Sequence, residues 1–265
     1  MTKYIVLFSI LVLGSCYTRK EGCLDTLASN YDVASDDACT ACCTYPKLIL
    51  NIDKVRKIGS IDTTLFNKFN QAYIIQDVRF YISEFCLYQN QNQIKINEVI
   101  GTANNTFIAK NDMKILRSVD ASLEIGTIKA YGQFDSLSFY LGLNKDLLSN
   151  TFVNLPTNHV LSPTGKLLDN NDETAVLTLR YKFKSPSQKD SIFNVAIPYE
   201  TLGGNSFKYV VKDKVNLSTT LKGADFKATI RADYKVLLDN VNLNWSKDSI
   251  SQAIGQNIKS ILTVK

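Results

Sequence analysis

Six cysteines and a single histidine are the side chains of this 265-residue chain with the most specific chemistry. Cys23, Cys39, Cys42 and Cys43 crowd into one short segment, and Cys86 stands apart. Thiolates at such density serve either as disulfides or as ligands for a soft metal ion. The run Cys39-Thr40-Ala41-Cys42-Cys43 supplies half of a zinc site, and the second half is missing unless Cys23 joins from a distance. Cys86 lies in a strand-like stretch and reads as a buried free thiol. His159, between Pro156 and Pro163, is the one imidazole available as base or ligand. Its stretch is polar and turn-rich, which predicts an exposed loop residue. Nucleophilic catalysis needs a histidine held by a partner, and no Gly-x-Ser-x-Gly elbow or Gly-rich phosphate loop accompanies it. Adjacent acids such as Asp172-Glu173 read as solvated turn residues. A glycosidase pair need only meet in space, and the sequence singles out no pair. The catalytic expectation is therefore none.

The compartment is read from the first residues. Lys3 precedes the apolar run from Tyr4 to Leu13, which is too short for a span of about 20 residues. It fits a cleaved signal peptide over 1–15. Leu13-Gly14-Ser15 then places small residues before Cys16, the pattern at which a lipoprotein signal peptidase cuts after the thiol has received diacylglycerol. Each buried lipid methylene contributes about 0.8 kcal/mol, so several acyl chains hold a protein stably on a membrane. Cys16 is thus the expected lipidation site of an outer-membrane lipoprotein. Tyr17 and Thr18 do not say whether the periplasmic or the cell-surface face holds it. Export favours disulfides over thiolate ligands for the cysteines that follow. A net charge of +5, spread along the chain, lacks the clustered basic stripe of a nucleic-acid surface.

The elements that must carry these residues follow from periodicity. Leu48, Leu50 and Ile52 alternate with polar residues, as do Leu137 to Leu143, Ala175 to Phe183 and Phe226 to Val236. Side chains of a strand point to opposite faces in turn, so each run has one buried and one wet face. Turn signals separate the runs at Asn104-Asn105, Pro163-Thr164-Gly165, Asn170-Asn171-Asp172 and Gly203-Gly204-Asn205. The expected fold is all-β, an antiparallel β-sandwich with few short helices, preceded by a small disulfide-bonded module. Residues 16–21 form a lipidated tether, 22–46 the cysteine-rich module and 47–265 the sandwich. Asn144–Asn150 reads as a short helix. Ile250, Ala253, Ile254, Ile258, Ile261 and Leu262 lie at helical spacing behind a Ser246 cap, although Ile261 to Val264 also fits a strand. Tyrosines and phenylalanines fall mostly on apolar strand faces and read as core. Trp245, the single tryptophan, reads as core or rim beside that helix.

Two resemblances add to this reading. Gly22-Cys23-Leu24-Asp25, Ala28-Ser29-Asn30-Tyr31, Ala34 and Asp36-Asp37-Ala38-Cys39 resemble a short repeat of secreted and surface proteins of Gram-negative bacteria. That resemblance implies a Cys23–Cys39 disulfide and leaves the pairing of Cys42 and Cys43 open. Asp25, Asn30, Asp32, Asp36 and Asp37 offer oxygen ligands for calcium, or serve as turn and cap residues. Asp77–Phe85, Ser136–Asn144 and the order Leu161-Ser162-Pro163 then Leu177–Phe183 resemble the MbnP family, periplasmic copper-binding proteins associated with methanobactin operons. The resemblance runs from Lys47 to Asp239 and implies a non-catalytic exported binding protein. Copper-binding relatives carry a Met-Tyr-Trp-x-Trp loop and a His-Leu-Gly segment. Here Thr164–Asp169 holds neither tryptophan nor methionine, and Tyr199-Glu200-Thr201-Leu202-Gly203 lacks the histidine. The family's copper site also uses a tryptophan oxidised by a diheme partner enzyme, and that residue has no counterpart. Copper favours imidazole and soft sulfur, so His159 is the one copper candidate, in a site otherwise degenerate. The rival reading is a cell-surface glycan- or protein-binding lipoprotein.

Overall fold

The computed structural model describes residues 18–39, 41–56, 63–96, 99–100, 109–110, 113–143, 157, 159–169, 172–184, 190–202, 207–211, 218–219 and 221–263. The signal peptide, Cys16, Thr40 and the expected helix Asn144–Asn150 lie outside the described residues.

The cysteine-rich module contains β1 (Glu21–Gly22) paired parallel with β2 (Asp37–Ala38). The chain then enters β3 (Lys47–Lys54), where Leu48, Leu50 and Ile52 turn inward as their alternation predicts. After β4 (Leu65–Phe66) comes β5 (Ala72–Gln89), the axis of the molecule. Shorter strands follow: β6 (Asn92–Lys95), β7 (Val99–Ile100), β8 (Ala109–Lys110), β9 (Lys114–Arg117), β10 (Ser122–Thr127), β11 (Gly132–Gln133) and β12 (Ser136–Leu141). The second half holds β13 (Ala175–Lys184), β14 (Ser191–Pro198), a 3-10 turn at Tyr199–Leu202, β15 (Phe207–Val211), β16 (Ser218–Thr219) and β17 (Phe226–Ala232). Helices α1 (Val236–Asp239) and α2 (Lys247–Asn257) precede the last strand, β18 (Leu262–Thr263).

These strands form two main sheets. One runs β14-β13-β5-β12-β15, with β4, β6 and β9 also pairing with β5. The other runs β10-β3-β17-β18. Most pairs are antiparallel. The exceptions among described strands are the small β1–β2 pair and β3–β17, whose Phe226–Leu48 to Ala232–Lys54 register is parallel. The buried rows of both sheets share one hydrophobic core, in which Phe134 meets Phe226 edge to face at 4.8 Å and Phe139 stacks between Phe85 and Tyr209. Aromatic pairs of this geometry add about 0.5–1.5 kcal/mol each beyond their buried area.

Two bulges shape β5. Gln76 is an extra residue between the partners of Arg180 and Tyr181. Glu84 and Phe85 together face the single residue Phe139, and Glu84 takes a positive φ of 54°. Each bulge kinks the strand, raises its twist and resets which side chains face inward. The large sheet curls as a result, and β5 is buried along most of its length on both faces.

The C-terminal helix follows the sequence. Ser246 accepts from the Ser249 N–H at 3.3 Å, which satisfies one of the free donors of the first turn. Ile250, Ile254 and Ile258 are buried, and α2 packs along β14, an edge strand of the large sheet, where cover is needed against further strand pairing. The end of this segment resolves as a 3-10 turn and then a strand at Leu262–Thr263. The alternation read through to Val236 overruns: β17 stops at Ala232, and Tyr234 stays buried beneath the turn that follows. Among the described residues no helix is long and apolar enough to cross a membrane.

Candidate functional site

The module is tied to the sandwich at one end. The Lys47 N–H donates to Asp225, Lys129 lies 4.0 Å over the Tyr45 ring, and Gly223, at φ +75°, lets its backbone approach Ala28 more closely than a Cβ would allow. Within the module the expected Cys23–Cys39 bond is replaced by Cys23–Cys43 and Cys39–Cys42. Asn30 explains the correction. Its side chain donates to the Cys42 carbonyl and accepts from the Thr44 N–H, which draws Cys43 to a Cα separation of 5.0 Å from Cys23. Cys39 turns across the short loop to Cys42 instead, with Cα atoms 5.7 Å apart. The acids weighed as calcium ligands or as turn and cap residues each have partners within the module or the tether before it. Asp25 accepts from Leu27 N–H and then Tyr45 Oη, which hold its carboxyl below the usual range. Asp32 is lowered chiefly by Lys20 at 2.6 Å and also accepts from the Ala34 N–H. Asp36 accepts from the Lys20 N–H and Asp37 meets Arg19. This is the turn-and-cap arrangement. Among the described residues, the group of metal-ligating side chains in mutual reach is Cys39, Cys42 and Cys43.

His159 is buried, not exposed as its polar surroundings predict. Its loop folds over the middle of β5. Tyr81 Oη donates to the Val160 carbonyl and accepts from the Leu167 N–H at 2.7 Å. Ser162 Oγ donates to the Thr157 carbonyl and accepts from the Gly165 N–H. Imidazole Nδ1 accepts from the Leu161 N–H at 3.2 Å, so the neutral ring carries its proton on Nε2, which has no partner among the described residues. Burial first, and Lys114 second, lower the imidazole pKa. The structure brings no described Cys, Asp or Glu to this ring in a group of three or more. Cys86 is a buried free thiol, as expected.

The opposite end of the sandwich carries a feature that sequence reasoning only touched. Phe66, at the end of β4, and Phe69, on the turn before β5, are exposed, and the Phe69 and Trp245 rings meet edge to face at 6.0 Å. A closed set of amides holds them. Buried Asn67 donates to the Val241 carbonyl at 2.7 Å and to Gln71 Oε1, and accepts from the N–H groups of Phe69 and Gln71. Gln71 in turn donates to Asn242 and accepts from the Leu243 N–H. Lys68 N–H reaches the Asp239 carbonyl at 2.8 Å. The turn at 67–71 is thereby fixed to the segment after α1, and the rings have little freedom to retreat. Trp245 is a rim residue. The partners that fix the turn carrying Phe69 lie about 170 positions away in sequence, so nothing local to it signals the rim.

A shallow polar groove on the outer face of β5, β13 and β14 holds Asp77, Arg79, Asp169 and Arg180. Asp77 pairs with Arg79 at 2.6 Å and Asp169 accepts from the Glu173 N–H, so both carboxylates are occupied.

Against known proteins, no family model matches the chain and no curated protein matches it. Among solved structures, MbnP from Methylosinus trichosporium is similar, at 12% identity over 74% of this chain and 78% of that one, with a TM-score of 0.43.

Proposed function

We propose that the chain is an exported, lipid-anchored, non-catalytic binding protein on an MbnP-related fold, and that it presents the aromatic rim of Phe66, Phe69 and Trp245 to a polysaccharide. The observation that carries this reading is the polarity of the molecule. The module that follows the tether sits at the Lys47 and Phe226 ends of β3 and β17. Both strands run away from it, and the rim lies beyond their far ends, after α1 and before β5. At about 3.3 Å per residue a strand of this length carries the chain roughly 25 Å, so a membrane held at Cys16 leaves the rim facing outward. The exposed apolar residues of that rim are all aromatic. Sugar rings pack their C–H faces on aromatic rings, a chemistry suited to amphipathic rims. Rigid exposed aromatics also cost little entropy on binding.

The copper function of the MbnP family is, in this proposal, lost. The chain has one histidine, and a Cu(I) titration of the disulfide-intact protein is expected to show no stoichiometric uptake. The test of the proposal is retention on immobilised cell-surface and plant polysaccharides. Wild type binds at least one, and Phe69→Ala and Trp245→Ala weaken that binding at least tenfold while the far-UV circular dichroism is unchanged. Retention on none, or binding indifferent to both changes, overturns it.

A further inference from the structure

Three cysteines of the module converge, and the fourth is bonded to one of them. The Sγ atoms of Cys39, Cys42 and Cys43 all lie within 4.8 Å of one another, and Cys23 is bonded to Cys43. Hydrogen bonds hold the same segments together beside the sulfur bonds. The Cys39 N–H donates to the Gly22 carbonyl at 3.0 Å, beside the β1–β2 pairing of Gly22 with Ala38. The Cys23 carbonyl accepts from the Asp32 N–H at 2.9 Å. Two residues earlier, the Asn30 side chain clasps the Cys42 carbonyl and the Thr44 N–H at 2.7 and 2.8 Å, and the Ser29 N–H donates to the Thr44 carbonyl at 2.8 Å. The segment from Ser29 to Asp32 is thus a splint with Cys23 on one side and Cys42–Thr44 on the other. None of these hydrogen bonds is made by a sulfur atom.

We propose that the reduced module is a tetrathiolate site for a soft d10 cation, Zn2+ being the representative, and that the disulfide-bonded and metal-bound forms are alternative states of the same four residues. A tetrahedral Zn–S distance of about 2.3 Å sets the sulfurs of such a site roughly 3.8 Å apart. The Sγ atoms of Cys39, Cys42 and Cys43 already lie within 4.8 Å of one another, and Cys23 has to swing its sulfur toward them once its bond to Cys43 is cleaved. Cys39-Thr40-Ala41-Cys42 supplies one ligand pair at the usual C-x-x-C spacing, and Cys23 and Cys43 supply the other. Cys42 is exposed, which gives both a reductant and an ion access, whereas Cys23 is buried and closes the inner side. The reduction is balanced by two equivalents of a dithiol donor. Each donates two electrons and two protons to one disulfide and leaves as its own disulfide. The cation then displaces the four thiol protons.

The test uses the full chain carrying Cys16→Ser, so that the lipidation cysteine adds no thiol, reduced with excess dithiol and exchanged into anaerobic buffer. Co2+ is titrated first and Zn2+ second. The expected result is one Co2+ per chain with the intense visible bands of tetrahedral thiolate coordination, displacement by one Zn2+, and release of about four protons per ion. Cys42→Ser is expected to weaken affinity at least tenfold, and Cys86→Ser to leave it unchanged. Mass spectrometry after alkylation supplies a readout independent of variant folding: bound Zn2+ is expected to protect Cys23, Cys39, Cys42 and Cys43 together. A reduced chain that takes up no ion, binding that follows Cys86, or alkylation of these four unaffected by Zn2+ overturns the proposal.

Discussion

Replacing Asn67 with alanine removes four hydrogen bonds at once from the turn that carries the rim. The bond to the Val241 carbonyl is buried, and an orphaned buried acceptor costs about 1–3 kcal/mol. The other three are partly solvated, and each contributes about 0.5–1 kcal/mol net. Water entering the vacated amide position recovers a share, which leaves a loss of about 3 kcal/mol. Asn67→Asp sharpens the reasoning. A carboxylate keeps both bonds from the Phe69 and Gln71 N–H groups, but its second oxygen faces the Val241 carbonyl and Gln71 Oε1. At neutral pH it is expected to destabilise as much as alanine. Protonation restores one donor, so the deficit shrinks as pH falls. The assay is urea unfolding followed both by circular dichroism and by the fluorescence of Trp245, the single tryptophan, which reports the rim directly. Alanine at position 67 with stability within about 0.5 kcal/mol of wild type, the usual range of an inert surface change, and with unchanged emission, refutes the claim that this amide organises the rim.

Three further outcomes are expected. Tyr81→Phe deprives the Leu167 N–H and the Val160 carbonyl of their buried partner and is expected to cost about 2 kcal/mol; urea unfolding, with loss of hydrogen-exchange protection at Leu167, checks it. Gly165→Ala drives a methyl into the His159 carbonyl oxygen and Ser162 Oγ; overpacking of this kind costs about 1–3 kcal/mol in thermal or urea unfolding. The pKa of His159 is lowered below 6.5 by burial, so the unfolded chain takes the proton first as pH falls. Its contribution is complete above pH 6.5 and is lost below, with a limiting slope of about 1.4 kcal/mol per pH unit. His159→Asn, whose carbonyl replaces Nδ1 as acceptor for Leu161, is expected to flatten the stability profile below pH 6.5.

Where a strand has one wet face, the sequence announces it. Phe226 to Ala232 alternates buried and exposed without a break, and Leu48, Leu50 and Ile52 do the same in the adjoining strand. The central strand β5 hides its period because Gln76 and the Glu84–Phe85 pair each shift the inward face by one residue, and because neighbours cover both sides. The parallel pairing of β3 with β17 joins segments separated by most of the chain, and nothing local encodes it. The burial of His159 is hidden in the sequence for a related reason: its loop is fastened by Tyr81, far away in sequence, rather than by apolar neighbours. The cysteine pairing follows Asn30, whose side chain serves as a clasp although its type suggests only a turn. The Ser246 cap, by contrast, acts within its own turn and was legible.

The measurement that bears most directly on the proposed function is the emission of Trp245 while a retained polysaccharide is added to the disulfide-intact chain. Stacking of a sugar face on the indole moves it out of water, so a saturable blue shift is predicted, with collisional quenching by iodide suppressed over the same concentration range. A saturable interaction that leaves both the emission maximum and the quenching unchanged would place the binding surface elsewhere and contradict the account.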